Sequence, residues 1–102
     1  MFEVLPTEIL NTYLQRRQND LEQLKQSLRE RSVEAFNRIG HQIKGNAKSY
    51  GFDNLEPIGI EMEKLCLENL ETVGLQLIEK LDHSIKENII ALKDRPYVPK
   101  DY

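Results

Sequence analysis

The chain has 102 residues, of which 39% are hydrophobic and 30% are charged, and its formal net charge is −3. This length suffices for one domain with a single core, and the composition is that of a folded protein rather than a disordered one. The acidic balance disfavours nucleic acid as a partner, because a phosphate-binding surface needs an excess of basic residues. No apolar run is long enough to cross a membrane, and nothing at the N-terminus resembles a signal peptide, so we expect a cytoplasmic protein.

The only cysteine is Cys66, which excludes an internal disulfide. No Cys or His lies at the ligand spacing of a zinc site, so we expect this chain to hold no metal. Cys66 is therefore expected to be a small, buried apolar residue.

Apolar residues recur at helical spacing in four segments. The first helix is predicted from Pro6 to Arg29, with Thr7 as its N-cap, and the polar residues 15–20 predict a part that is exposed or bent. Its apolar stripe consists of Ile9, Leu10, Tyr13, Leu14, Leu21, Leu24 and Leu28. The second helix is predicted from Ser32, a suitable N-cap, to Tyr50, before the helix-stopping Gly51.

The third helix is predicted to begin at Asp53, where Glu56 can complete a capping box and Pro57 falls in the first turn. Its inner stripe consists of Leu55, Ile58, Met62, Leu65 and Cys66. After a break near residues 69–72, the fourth helix is predicted from about Val73 to Leu92. Its inner stripe consists of Leu77, Ile78, Leu81, Ile85, Ile89 and Leu92.

Four amphipathic helices with short connections predict an all-α fold, an antiparallel up-down four-helix bundle. We expect a single domain over residues 1–102, with the bundle at about 7–92. The tail, residues 93–102, contains two prolines that cannot continue a helix, so we expect it to be extended or loosely docked. The initial Met and the complete bundle favour a stand-alone module over a domain excised from a larger protein.

His41 is the candidate functional residue of the second helix. At about 100° per residue, His41 lies about 160° from the centre of the apolar stripe, so its side chain is predicted to face water. The stripe itself consists of Phe36, Ile39, Ile43, Ala47 and Tyr50. On the same helical wheel, Lys48, Gly45 and Lys44 lie within about 20°, 40° and 60° of His41.

An isolated exposed histidine is usually a surface residue without a role, and we interpret His83 in this way. The neighbours of His41 favour a role. A glycine inside a helix costs about 1 kcal/mol relative to alanine, so Gly45 indicates that another surface must come close. Lys44 and Lys48 would place cations beside a phosphoryl group, and neutral imidazole is a nucleophile at physiological pH.

The segment from Gly40 to Gly51, Gly-His-Gln-Ile-Lys-Gly-Asn-Ala-Lys-Ser-Tyr-Gly, resembles the signature of histidine phosphotransfer (HPt) domains. Those domains show a small residue, then His-x-x-Lys-Gly, further small residues, and a Gly that ends the helix. With Leu55 and the third helix, the resemblance covers about residues 7–92. Two positions depart from the family pattern: Asn46 stands where Ser or Ala is common, and Gly40 stands where Ala is common. Gly40 and Gly45 together are expected to loosen this helix locally.

The resemblance implies that His41 accepts a phosphoryl group from a receiver aspartate or a kinase and passes it to another receiver. It also implies that Lys44 helps to hold the phosphoryl oxygens and that Gly45 leaves room for the receiver. Glu63 is the candidate that hydrogen-bonds the other ring nitrogen, although an ordinary solvent-facing glutamate is the alternative. The implied partners are response-regulator receivers or a hybrid sensor histidine kinase; we expect a monomer, no cofactor, and Mg²⁺ only on the receiver.

Ile60 and Leu67 are predicted to fall together on the outer side of the third helix, over about 100° from its inner stripe. Isolated exposed apolar residues mean little. Beside His41, however, such a pair would suit a receiver-docking surface together with Gly45 and Lys48.

No Gly-rich nucleotide loop, Walker-type Lys or Asp-Gly-x-Gly stretch is present, so the sequence predicts a phosphoryl carrier rather than a kinase. One alternative is a non-transferring four-helix module that docks a receiver or kinase. A metal or haem bundle is a second alternative, but it requires inward-facing ligands, and both histidines lie off the inner stripes.

Overall fold

A computed structural model describes residues 5–93 of the chain. Its α-helices are α1 (Thr7–Arg29), α2 (Glu34–Asn46), α3 (Glu56–Glu63) and α4 (Leu70–Lys93). Short 3₁₀ turns occur at Lys48–Tyr50, Asp53–Leu55 and Leu67–Asn69. Residues 5–93 contain no strand, which confirms the all-α class and the four-helix bundle. Apart from Lys93, the predicted tail lies outside the described residues.

Most residues of the four predicted apolar stripes lie in the core. The largest fully buried side chains are Leu14, Leu24, Phe36, Ile39, Ile43, Leu55, Met62, Leu70, Leu77, Leu81 and Ile85. Ile89 and Leu92 are only partly buried against this core. None of the helices in the described range is both long and apolar enough to span a bilayer.

Two predictions for α1 were wrong. Thr7 is the first helical residue rather than the cap, and Ile9 is 44% exposed rather than part of the inner stripe. The polar residues 15–20 are partly exposed, as predicted, because Gln15, Arg16 and Asn19 face water, whereas Arg17 and Asp20 are buried within one continuous helix. Arg17 Nε lies 2.9 Å from Asp20 Oδ2, and the guanidinium lies 5.0 Å from the ring centre of Tyr13. The two buried charges therefore form an ion pair, and the guanidinium also lies over an aromatic ring.

The start of α2 also differs from the prediction. The helix begins at Glu34 with Val33 in the N-cap position, and Ser32 lies outside it. Ser32 Oγ still accepts a hydrogen bond from the Glu34 N–H at 3.3 Å. The α-helix ends at Asn46 and continues as a 3₁₀ turn to Tyr50, where Gly51 with φ 83° ends it as predicted.

The predicted capping box at Asp53 is absent from the described structure. Residues 53–55 form a 3₁₀ turn, and α3 begins at Glu56 with Pro57 in its first turn. A capping box instead joins Cys66 and Asn69, whose Oδ1 accepts from the Cys66 N–H at 3.0 Å. This box caps the 3₁₀ turn Leu67–Asn69, and α4 begins directly after it at Leu70, before the predicted Val73. Cys66 is partly exposed rather than buried.

The backbones of α2 and α3 are in direct contact at Gly40 and Gly59. A Cβ atom on Gly40 would lie 2.6 Å from both the Glu63 nitrogen and the Gly59 oxygen. A Cβ on Gly59 would lie 2.9 Å from the Gly40 oxygen. Gly40 is therefore a packing position that an alanine could occupy only if the helices moved apart, and α2 continues through it unbroken.

We expect the two glycines of α2 to respond oppositely to alanine. Gly40→Ala should lower the free energy of unfolding by about 1–3 kcal/mol, because the methyl group overpacks the contact with α3. Gly45→Ala should raise it by up to about 1 kcal/mol, because a Cβ there meets nothing within 4 Å and alanine is the better helix former. Urea denaturation measures both changes; an unchanged or more stable Gly40→Ala protein would contradict the packing role.

Candidate functional site

His41 lies near the middle of α2 with its side chain 71% exposed. The predicted stripe faces the other way: Phe36, Ile39, Ile43 and Ala47 are fully buried, and Tyr50 is partly buried. The outward orientation of His41 that the helical wheel predicted is therefore correct.

Glu63, the last residue of α3, makes the principal contacts of His41 and Lys44. Its Oε2 lies 2.5 Å from His41 Nδ1, and its Oε1 lies 2.6 Å from Lys44 Nζ. With 27% of its side chain exposed, Glu63 is partly sheltered between α2 and α3. The structure thus brings together three predicted site residues, and it connects them through one carboxylate.

The Lys44 ammonium, and next the hydrogen bond from His41, hold the pKa of Glu63 below its ordinary value. An ionised carboxylate only accepts hydrogen bonds, so His41 Nδ1 carries the proton that it donates to Glu63. The lone pair of the neutral ring then lies on Nε2, the nitrogen away from Glu63. This arrangement gives an exposed imidazole with one defined nucleophilic nitrogen.

Gly45 is exposed, and the space in front of it is open to 4 Å from an added Cβ. This agrees with a surface that another protein can approach, since internal packing gives no reason for a glycine there. Lys48 lies past the end of α2 in the 3₁₀ turn. The predicted angle of about 20° between Lys48 and His41 assumes a continuous α-helix, so it does not describe Lys48 in the 3₁₀ turn.

The predicted apolar pair on the third helix needs a similar correction. Ile60 lies on α3 and is partly exposed. Because α3 ends at Glu63, Leu67 belongs to the following 3₁₀ turn, where it is 63% exposed. The two residues therefore do not share one helix face.

No contact between α2 and α3 was predicted for Asn37 or Gly59. The Asn37 side chain on α2 bonds to backbone carbonyls at the end of α3, and Gly59 provides the contact with Gly40. The signals were residues that fit helices poorly, since Asn and Gly both disfavour helix interiors. Asn37 stands one turn before His41, and Gly59 stands inside α3.

Two further predictions concern groups outside this site. His83 is exposed on α4, with Nε2 3.5 Å from Glu87 Oε2, and does not approach His41's partners. Residues 5–93 contain no group of three or more His, Cys, Asp or Glu side chains that could hold a metal ion. The two histidines are exposed, away from the core that a haem or metal bundle would use.

Comparison with curated proteins and with solved structures gave no match. The family model described as the Hpt domain matches residues 8–94, which is most of the chain. The resemblance to this family is therefore not confined to the segment around His41 but covers the whole bundle. The chain belongs to the Hpt domain family, the histidine phosphotransfer family, whose members are phosphocarrier modules rather than kinases and interact with receiver domains and kinases in two-component phosphorelays.

Proposed function

We propose that this protein accepts a phosphoryl group on His41 from a receiver aspartate, or from a kinase, and relays it to another receiver domain. The observation that carries this proposal is the exposed imidazole whose Nδ1 is bound by Glu63. That contact leaves Nε2 as the nucleophile and directs it away from α3.

In the transfer step, the Nε2 lone pair forms a bond to phosphorus while the bond from phosphorus to the aspartyl oxygen breaks. The Nδ1 proton stays in its hydrogen bond to Glu63, whose negative charge stabilises the positive charge that develops on the ring. The return step reverses these bonds onto the next receiver's aspartate. Mg²⁺ bound by the receiver would neutralise charge on the transferring oxygens.

Lys44 is paired with Glu63 before transfer, at 2.6 Å from Oε1. A phosphoryl group on His41 places about two negative charges beside the Lys44 ammonium. These charges compete with the single charge of the Glu63 carboxylate for the hydrogen bonds of the ammonium. Lys44 therefore moves part of its hydrogen bonding to the phosphoryl oxygens. The open space at Gly45 allows the receiver to approach within reach of Nε2.

The central test replaces His41 with glutamine. Incubated with phosphorylated receivers, wild type should gain an acid-labile label, and His41→Gln should lose it to background because no nucleophilic nitrogen remains. His83→Gln is the matched control, since it removes the other exposed histidine and should label like wild type. Equal labelling of His41→Gln and wild type would refute the proposal, and binding of receivers without any label would identify a non-transferring docking module.

The ionised form of Glu63 should stabilise the fold in a pH-dependent way. Its pKa is lowered from 4.5 in the folded protein, so its contribution is present above that value and is lost as the pH falls through the lower folded-state pKa. The difference in unfolding free energy between wild type and Glu63→Gln should therefore shrink between pH 5 and the acid limit of folding, as urea titrations measure. A difference that stays constant over this range would show that the contacts with Lys44 and His41 do not stabilise the carboxylate.

The docking role of Ile60 is tested separately from the chemistry. Ile60→Asp should weaken receiver binding about tenfold or more if this side chain anchors the contact, while the circular dichroism spectrum stays helical. Leu75→Asp is the control: Leu75 is exposed on α4, which contributes no side chain to the contacts of His41 described above. Equal binding by the two variants would exclude Ile60 from the docking surface.

A further inference from the structure

Asn37 lies on α2, one helical turn before His41. Its Nδ2 lies 3.1 Å from the carbonyl oxygens of Met62 and Glu63 and 3.0 Å from that of Leu65. These carbonyls lie at or just past the C-terminal end of α3, where main-chain acceptors have few intrahelical partners. Two amide hydrogens are thus shared among three acceptors by a side chain that is itself part-buried.

The side chains of Met62 and Leu65 anchor the end of α3 in the core, and Asn37 binds the main-chain carbonyls there. The helix has eight residues, and short helices depend on tertiary contacts for stability. Its C-cap is Lys64 with φ −90°, so the left-handed glycine that commonly satisfies terminal carbonyls is not used. The amide of Asn37 takes over this task from the neighbouring helix.

We propose that Asn37 is a positioning residue of the phosphotransfer site, which holds the end of α3 so that the Glu63 carboxylate stays on His41 Nδ1. The main chain at Glu63 is bound by Asn37, and the side chain of Glu63 is bound by His41 and Lys44. All three partners project from α2. Asn37 therefore fixes the base of the same side chain whose tip selects the nucleophilic nitrogen.

A second contact makes this positioning effective. The backbones of Gly40 and Gly59 touch one turn before Glu63 along α3. This contact and the buried Met62 side chain fix where α3 lies against α2, but they do not bind the carbonyls of its last turn. Asn37 binds the carbonyls that follow the Gly40–Gly59 contact along α3. The main chain is therefore held on α2 both before and at Glu63, and this sets the direction of the Glu63 side chain.

The test compares Asn37→Ala with Asn88→Ala. Asn88 is a matched control because its Nδ2 donates at 2.9 Å both to Asn54 Oδ1 and to the Ser84 carbonyl, so it also links α4 to a neighbouring element. We expect both variants to lose stability. Only Asn37→Ala should change the ¹⁵N spectrum of the His41 ring, from a predominantly Nδ1–H tautomer toward the tautomer mixture of free imidazole.

The rate of phosphotransfer should fall about 10- to 100-fold in Asn37→Ala, by analogy with the loss of groups that orient metal-binding histidines. It should stay near the wild-type rate in Asn88→Ala. Asn37→Ser, which keeps a shorter donor, should lie between Asn37→Ala and wild type in both readouts, and it replaces the alanine variant if that protein does not fold.

If Asn37→Ala, or the serine variant in its place, keeps the wild-type tautomer and transfer rate, Asn37 is a helix cap only and the proposal is overturned. The kinetic part rests on the function proposed for His41, whereas the tautomer part does not. If wild-type protein is never labelled, the proposed function fails, and the ¹⁵N spectra still decide whether Asn37 positions Glu63.

Discussion

The spacing between α2 and α3 is set where their backbones touch, at Gly40 and Gly59. His41 follows Gly40 directly, and Glu63 lies one turn after Gly59, so both side chains leave the helices beside this contact. A glutamate side chain is short relative to the 8–10 Å that usually separates packed helix axes. Side chains at the crossing would increase the separation, and the hydrogen bond between the carboxylate and Nδ1 would lengthen.

Helical periodicity alone predicted which face of the second helix is buried and that His41 is exposed, because both properties depend on local geometry. The partnership with Glu63 was proposed from a family resemblance, and the structure shows the contact. The crossing at Gly40 and the Asn37 contacts could not be read from the chain. They depend on how two helices are placed against each other, which periodicity does not determine.

The ends of the helices were predicted less well for a related reason. Each end is a competition among nearby side chains that can satisfy the same backbone groups. Asp53 makes no capping bond, and Ser32 binds the Glu34 N–H from one residue before the N-cap position. A capping box that was not predicted forms between Cys66 and Asn69. In α1, polarity predicted exposure for Arg17, whereas the charge of Asp20 beside it allows burial.

The pairing of Lys44 with Glu63 has a consequence for dissolved anions. Because the ammonium already has a counter-charge within hydrogen-bond distance, inorganic phosphate arriving from solution would have to displace a carboxylate that is covalently part of the protein. A phosphoryl group bonded to His41 has no such disadvantage, since its own bond holds it in place and its effective concentration is high. Under the proposed function, the resting ion pair would therefore favour a phosphoryl group attached to the imidazole over dissolved inorganic phosphate.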